Sequence, residues 1–359
     1  MAIISKAPLR LSFAGGGTDL EPYCETYGGC VLSATINQYA YVSIDANPSY
    51  GEDTWVFHAP DMDQEHTVSG PIDSWDTSQA TLLINTYKHM QHHFGFELLP
   101  VRLTGYCESP PGSGLGSSSA FTVATVSAIN EYYQLAMTKY DIASLSHHIE
   151  REVCALPGGK QDQYGSTFGG FNYIEFNDNN LVSPLDIGKS IKETLEMCTI
   201  LYYIGQPRAD ERIIELNMKN LADNQDTVDY THQLKQNCIQ FKLALAKGDY
   251  TAIKQLMNEQ WQLKKSLSSG IINPAINEIY DYAINHGAQS GKICGAGGGG
   301  FVFCLVDKNK QEIDRQHDQQ INKYVKQIVV SLFLLQIEPT SNQQPPDSCE
   351  KHTQNWNNG

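Results

Sequence analysis

Apolar and polar positions alternate with period two through most of the first third of the chain. Residues 3–13, 29–36, 39–45, 55–58 and 66–69 are short runs rich in β-branched and aromatic residues, separated by Gly, Pro, Asn and Asp. Such runs predict a mostly antiparallel sheet. The period then lengthens, which predicts a helix over 79–94, a strand over 101–106, a glycine-rich loop, and helices over 121–133 and 140–154. Pro157-Gly158-Gly159 stops the last of these. Gly169-Gly170 opens a strand over 171–176, and the run Asn177 to Asn180 reads as a hairpin turn into Leu181-Val182-Ser183.

Beyond Ile187 the pattern becomes helix-rich and strand-poor. A strand over 198–204 is followed by helical stretches at 212–221, 228–246, 250–267 and 274–286. Strands over 291–294 and 301–306, joined by a glycine loop, return the chain to a sheet. This order predicts an α+β fold of two domains, 1–187 and 188–335, meeting across a cleft. Residues 328–335 are apolar enough for a strand. Residues 336–359 are rich in Gln, Asn, Pro and Ser, and read as a polar, disordered tail. No internal repeat is present.

The totals narrow the function class. With 359 residues, 41% hydrophobic and 18% charged, the chain is long enough for one large core or two joined ones. A net charge of −15 argues against a nucleic-acid partner, because that affinity depends on a basic surface. No run approaches the roughly 20 apolar residues of a membrane span, and the N-terminus does not resemble a signal peptide, so the expectation is a cytoplasmic protein with no membrane partner. The nine cysteines form no C-x-x-C pair and read as reduced, mostly buried thiols. His89, His92 and His93 share a helix face, but with no cysteine or carboxylate in that segment they read as surface histidines, as do His147 and His148.

Three glycine-bearing segments carry the chemistry. In the middle one, Pro111, Gly112, Ser113, Gly114, Leu115, Gly116, Ser117, Ser118 and Ser119 lead into a helix. Bare backbone N–H groups therefore converge where the helix dipole is positive, which is an anion cradle. It lacks the Gly-Lys-Ser/Thr ending of a Walker loop, and no protein-kinase signature occurs elsewhere. Gly295, Gly297, Gly298, Gly299 and Gly300 formally satisfy G-x-G-x-x-G. A Rossmann fingerprint opens a helix, however, whereas Phe301 to Val306 reads as a strand. A turn between strands, bringing backbone close to another loop or to a phosphate, fits this context better. The first segment places Arg10 on a strand and Asp19 just beyond Gly15-Gly16-Gly17-Thr18. Glu150 and Asp162 flank a further glycine-rich turn, where a carboxylate could hold Mg²⁺ through oxygen ligands. Taken singly, Arg10 reads equally well as a surface residue, and Glu150 and Asp162 each read more often as solvated acids.

Together, in this order and at these distances, the three segments resemble the three motifs of the GHMP kinase family (galactokinase, homoserine kinase, mevalonate kinase, phosphomevalonate kinase) over residues 5–306. The resemblance implies a two-domain fold with its site in the interdomain cleft, ATP as phosphoryl donor and Mg²⁺ as cofactor. It implies Asp162 as catalytic residue, Arg10 as its basic partner, and Ser118 and Glu150 as metal ligands, with Gly17, Thr18 and Asp19 facing substrate. Within the family, Pro8 to Leu20 and Gly159 to Gly165 are similar in wording to the bacterial D-glycero-D-manno-heptose 7-phosphate 1-kinases and related fucose-type sugar kinases. Galactokinases carry Glu-His-Thr-Asp where this chain has Gly16-Gly17-Thr18-Asp19. The expectation is a sugar 1-kinase acting on a heptose 7-phosphate. A fucose-type or other free-sugar kinase and a non-catalytic sugar and ATP sensor are the alternatives. A phosphorylated substrate needs a second anion site, for which Lys160, Arg208 and Arg212 are the candidates. The oligomeric state, a homo-oligomer included, stays open.

Overall fold

The structure is a computed structural model that describes residues 2–46, 53–204, 210–267, 274–306 and 326–328. Seven strands build the first sheet: β1 (Ala2–Ala14), β2 (Gly29–Ala46), β3 (Thr54–Ala59), β4 (Gln64–Ser69), β5 (Val101–Cys107), β6 (Phe171–Phe176) and β7 (Leu181–Pro184). All pairs are antiparallel except β3 with β5. β2 is the spine. β1 pairs along most of its length, while β6 takes its first half and β5 its second.

The two strands expected at 29–36 and 39–45 are therefore one. Their junction survives as a slip in register: Pro8 stands opposite Tyr39, but Arg10 stands opposite Thr35. A bulge of this kind bends and twists a strand, and it lies beside Arg10.

The short α1 (Tyr23–Tyr27) follows β1, and on this sheet lie α2 (Thr81–Phe94), α3 (Ser117–Tyr133), α4 (Lys139–His148) and α5 (Gln161–Phe168). α3 packs on both β1 and β2. Ala120, Thr122, Val123, Ala124, Thr125, Val126, Ala128 and Ile129 are all buried, the mark of a helix enclosed on nearly every side. The glycine-rich turn expected around Asp162 gives way to helix at Gln161. α5 lacks a legible apolar period because several of its buried positions are polar: Gln163, Ser166 and Thr167.

A second, four-stranded antiparallel sheet has the order β11 (Lys326–Ile328), β8 (Thr199–Tyr203), β10 (Phe301–Val306), β9 (Ala288–Ile293). Around it stand α6 (Lys189–Cys198), α7 (Asp210–Asp223), α8 (Gln225–Lys247), α9 (Tyr250–Leu267) and α10 (Pro274–Asn285). The reading of 187–198 omitted α6, although Ile191, Leu195 and Cys198 bury one face of it. The strand expected at 328–335 coincides with the structure only at Ile328. Residues 329–335 and the tail 336–359 lie outside the described residues.

Apolar packing runs between the two sheets. The Phe13 ring on β1 touches Phe171 on β6, Phe303 on β10 and Phe241 on α8, at centroid distances of 5.1, 5.1 and 6.2 Å. Such close, mostly edge-on contacts add to area burial. No described helix is long and apolar enough to cross a membrane. Cys24, Cys30, Cys198, Cys238, Cys294 and Cys304 are buried, and no disulfide joins the described cysteines.

Candidate active site

The middle glycine segment enters α3 through Gly116, whose left-handed φ of 74° places it at the N-cap with no side chain to cap the helix. The first helical N–H groups have no intrahelical acceptor. Ala120 is the first to find one, the Gly116 carbonyl at 2.8 Å. The N–H groups of Ser117, Ser118 and Ser119 thus begin a 17-residue helix with no acidic residue in its first turn. The side chains of Ser113, Leu115, Ser117 and Ser119 are buried, while Pro111 and Ser118 are exposed. What this segment offers an anion is chiefly backbone N–H, reinforced by the helix dipole.

The turn 295–300 joins β9 to β10, as its strand context requires, and it lies directly against the cradle. A Cβ on Gly295 would stand 2.6 Å from the Gly114 Cα, and one on Gly114 would stand 2.7 Å from the Cys294 carbonyl oxygen. Phe301 donates its N–H to the Ser113 carbonyl at 3.1 Å. Gly297, Gly298 and Gly299 are buried within this turn. The two glycine segments pack backbone on backbone, which only glycine permits at these distances.

Arg10 and Asp162, 152 residues apart in sequence, form the charged pair of the site. Arg10 Nε and Nη2 reach Asp162 Oδ1 at 2.7 and 2.6 Å, and Nη1 donates to the Gly114 carbonyl at 2.7 Å. Arg10 is 3% exposed. The Asp162 side chain, in the first turn of α5, keeps 21% exposure beside Gly116. The guanidinium thus joins the cradle backbone to the carboxylate.

Glu150 is placed by an irregularity. After α4 the helix continues as a single π-helical turn, Ile149–Val153, and Glu150 within it is buried. Turns of this kind recur at functional sites. Ser118 donates its hydroxyl to Glu150 Oε1 at 2.6 Å, and Gln163 donates from Nε2 to Glu150 Oε2 and, at 3.0 Å, to Ser119 Oγ. Among the described residues these partners of Glu150 are neutral, so a buried carboxylate and an adjacent hydroxyl present hard oxygen atoms with no paired cation. That donor set fits Mg²⁺, which takes one or two carboxylates and completes its shell with phosphate oxygens and water. Among the described residues no cluster of three or more His, Cys, Asp or Glu residues could hold a metal by itself.

Asp19 lies beneath the turn 15–17. Its carboxylate accepts from the N–H groups of Gly17 and Gln161, at 3.0 and 3.1 Å, and from Gln161 Nε2 at 3.1 Å. Burial, and then the nearby Asp162 charge, push its pKa up, against the pull of these N–H donors. Thr18 is fully buried, with its hydroxyl engaged by the Cys30 backbone: it donates to the carbonyl at 2.8 Å and accepts from the N–H at 3.0 Å. Lys160 pairs with Glu21 at 3.1 Å. Arg212 is exposed on α7, and Arg208 lies outside the described residues.

Sequence reasoning passed over Gln161 and Gln163, which hold Asp19 and Glu150; neither carries a signal until α5 is known to be a helix. It also gave no role to Lys292 on β9, whose polar sequence AQSGKI does not announce that the lysine is buried.

Residues 81–170 match the GHMP kinases N terminal domain and residues 241–319 the GHMP kinases C terminal domain. The chain is 36% identical to the D-glycero-alpha-D-manno-heptose 7-phosphate kinase of Campylobacter jejuni, over 86% of this chain and 91% of that protein. It is similar at 31% identity to the crystal structure of a D-glycero-D-manno-heptose 1-phosphate kinase from Bacteroides thetaiotaomicron, with a TM-score of 0.75 and coverage of 92% and 96%. It is 25% identical to the L-fucokinase/L-fucose-1-P guanylyltransferase of Bacteroides fragilis, over 85% of this chain but only 34% of that longer protein. With both family domains matched in order and a full-length relative at this identity, the chain belongs to the GHMP kinase family, phosphotransferases that act on a hydroxyl group.

Proposed function

We propose that this protein transfers the γ-phosphoryl group of ATP to the anomeric hydroxyl of D-glycero-D-manno-heptose 7-phosphate, giving the 1,7-bisphosphate for nucleotide-activated heptose synthesis. The observation that carries the chemistry is the Arg10–Asp162 pair at the lip of the glycine cradle. The substrate class is supported by the likeness to the Campylobacter jejuni heptose 7-phosphate kinase.

Phosphoryl transfer asks mainly for positioning and charge neutralisation, since its transition state spreads negative charge over the γ-phosphoryl oxygens. In this reading the N–H groups from Gly112 to Ser119 seat the phosphates. Asp162 accepts the hydroxyl proton as the sugar oxygen attacks phosphorus and ADP leaves. Arg10, held to both Asp162 and Gly114, keeps that carboxylate aligned with the cradle. A helix N-terminus supplies only about 0.3–1 kcal/mol per charge, far below the roughly 8 kcal/mol or more that enzymatic acceleration requires. Ser118 and Glu150 would hold Mg²⁺, which when bound neutralises phosphate charge. Asp19, kept in place by Gln161, would accept from a sugar hydroxyl, and Lys160 would meet the 7-phosphate if that group displaces Glu21.

Coupled ADP release with Mg-ATP and a panel of D-glycero-D-manno-heptose 7-phosphate, sedoheptulose 7-phosphate, L-fucose, mannose and galactose tests the proposal. Turnover confined to the aldoheptose phosphate is the expected result. Preference for a free sugar, or silence across the panel with intact ATP binding, overturns it.

A further inference from the structure

Behind the glycine segments lie two buried lysines that the mechanism above leaves unused. Lys292, 3% exposed on β9, donates from Nζ to the carbonyls of Ser12 at 2.6 Å and Phe13 at 3.4 Å, both on β1. Lys264, buried on α9, donates to the Gly295 carbonyl. Burying an ammonium is costly unless hydrogen bonds and compensating charge offset it. A purely structural tie between two strands would be made more cheaply by a neutral donor.

We propose that Lys292 is a positioning residue for phosphoryl transfer, whose ammonium clasps the strand bearing Arg10 to the strand that opens the 295–300 turn and is completed by nucleotide phosphates in the cradle. Lys292 ties the strand of the first glycine segment to that of the third, and the third packs on the second. Ser12 and Phe13 stand two and three residues beyond Arg10 and just before the 15–17 turn. Two residues beyond Lys292, the Cys294 carbonyl meets Gly114, the residue whose own carbonyl accepts from Arg10. A shift of β9 against β1 therefore moves Arg10 relative to the cradle.

The charged and titratable groups facing Lys292 are Lys264 from α9, Arg10 from β1, the Cys294 thiol from β9 and the Cys238 thiol from α8. Burial first, and then the Lys264 charge, lower its pKa to about 7. Arg10 is already matched by Asp162. A polyanion entering the cradle is then the missing compensation. It raises the proton affinity of Lys292, so the clasp is protonated in the complex and, above neutral pH, largely neutral in the free protein.

The inference rests on the reading of the site as a nucleotide cradle. The test is calorimetry of Mg-AMPPNP binding in two buffers of different ionisation enthalpy, alongside steady-state kinetics of the full chain and of Lys292→Met. The wild type is expected to take up about one proton per nucleotide at pH 8 and almost none at pH 6. Its kcat/KM for ATP should fall as pH rises past about 7. Lys292→Met is expected to lose kcat by about 10–100-fold with a far smaller change in the sugar KM, and to lose both the alkaline limb and the proton uptake. Turnover close to wild type in Lys292→Met overturns the proposal, as does a loss of kcat with limb and uptake unchanged, which would reduce the lysine to packing. If the variant does not fold, absence of uptake by the wild type at pH 8 overturns it alone. Absence of nucleotide heat altogether is a failure of the cradle reading instead.

Discussion

Replacing Arg10 by Met should separate the electrostatic role of this residue from its packing, because Met keeps the unbranched stem and removes only the charge and the donors. The guanidinium makes two contacts with Asp162 Oδ1, at 2.7 and 2.6 Å, and one with the Gly114 carbonyl at 2.7 Å. Removing one partner of a buried ion pair costs about 3–5 kcal/mol, most of it the penalty of the charge left behind. Asp162 keeps 21% side-chain exposure, so water relieves part of that penalty and the expected loss is about 3 kcal/mol. The stranded carboxylate would also face Asp19, whose pKa already reflects the Asp162 charge. Neutralising it in the double variant Arg10→Met with Asp162→Asn should recover about half of the loss, because no unpaired charge remains. Urea unfolding without ligand measures both, and turnover should fall at least about 100-fold in each variant. The reasoning is refuted if Arg10→Met lies within about 1 kcal/mol of wild type, or if the double variant is no more stable than the single one.

Other perturbations probe separate parts of the site. Glu150→Gln can still accept from Ser118 but loses its charge, so the magnesium concentration for half-maximal turnover should rise at least about tenfold while the sugar KM holds; a magnesium titration that overlays wild type speaks against Glu150 as a ligand. Gly295→Ala places a Cβ 2.6 Å from the Gly114 Cα at a φ of 65°, and should weaken ATP binding, read by calorimetry, at least about tenfold through displacement of the cradle. The His147 pKa is lowered to about 3, by burial and then by the Arg151 and Lys160 charges. Between pH 6.5 and 3 the folded protein thus binds fewer protons at this site than the unfolded chain. The His147 contribution is intact above pH 6.5 and is lost as pH falls, by about 2 kcal/mol at pH 5. His147→Gln should flatten the decline in urea stability between pH 7 and 5 by that amount, and an unchanged slope would exclude His147 as the source.

Much of the site was legible in the linear chain because the demands there are local. A glycine held at positive φ, or pressed against another backbone, is required whatever surrounds it, so all three segments stand out, and β10 after the 295–300 turn rules out a dinucleotide fingerprint without reference to the rest of the fold. Period-two alternation likewise marks β4, β5 and the first half of β1, while β3 and β6 show as short β-branched and aromatic runs bounded by turn residues. The same reasoning failed where buried positions are polar. α5 hides because Gln163, Ser166 and Thr167 point inward, and the π-helical turn that buries Glu150 has no periodicity of its own. That the two halves of β2 are one strand shows only in its partners: β1 pairs with it on both sides of residues 36–38, while β6 pairs before that junction and β5 after it, which no local window contains. By itself, then, the sequence determined which residues could do the chemistry and where the backbone must turn. Tertiary structure alone decided that Arg10 meets Asp162, that Ser118 meets Glu150, and that Lys292 reaches Ser12, because strand register and helix docking are set by burial summed over segments far apart in the chain.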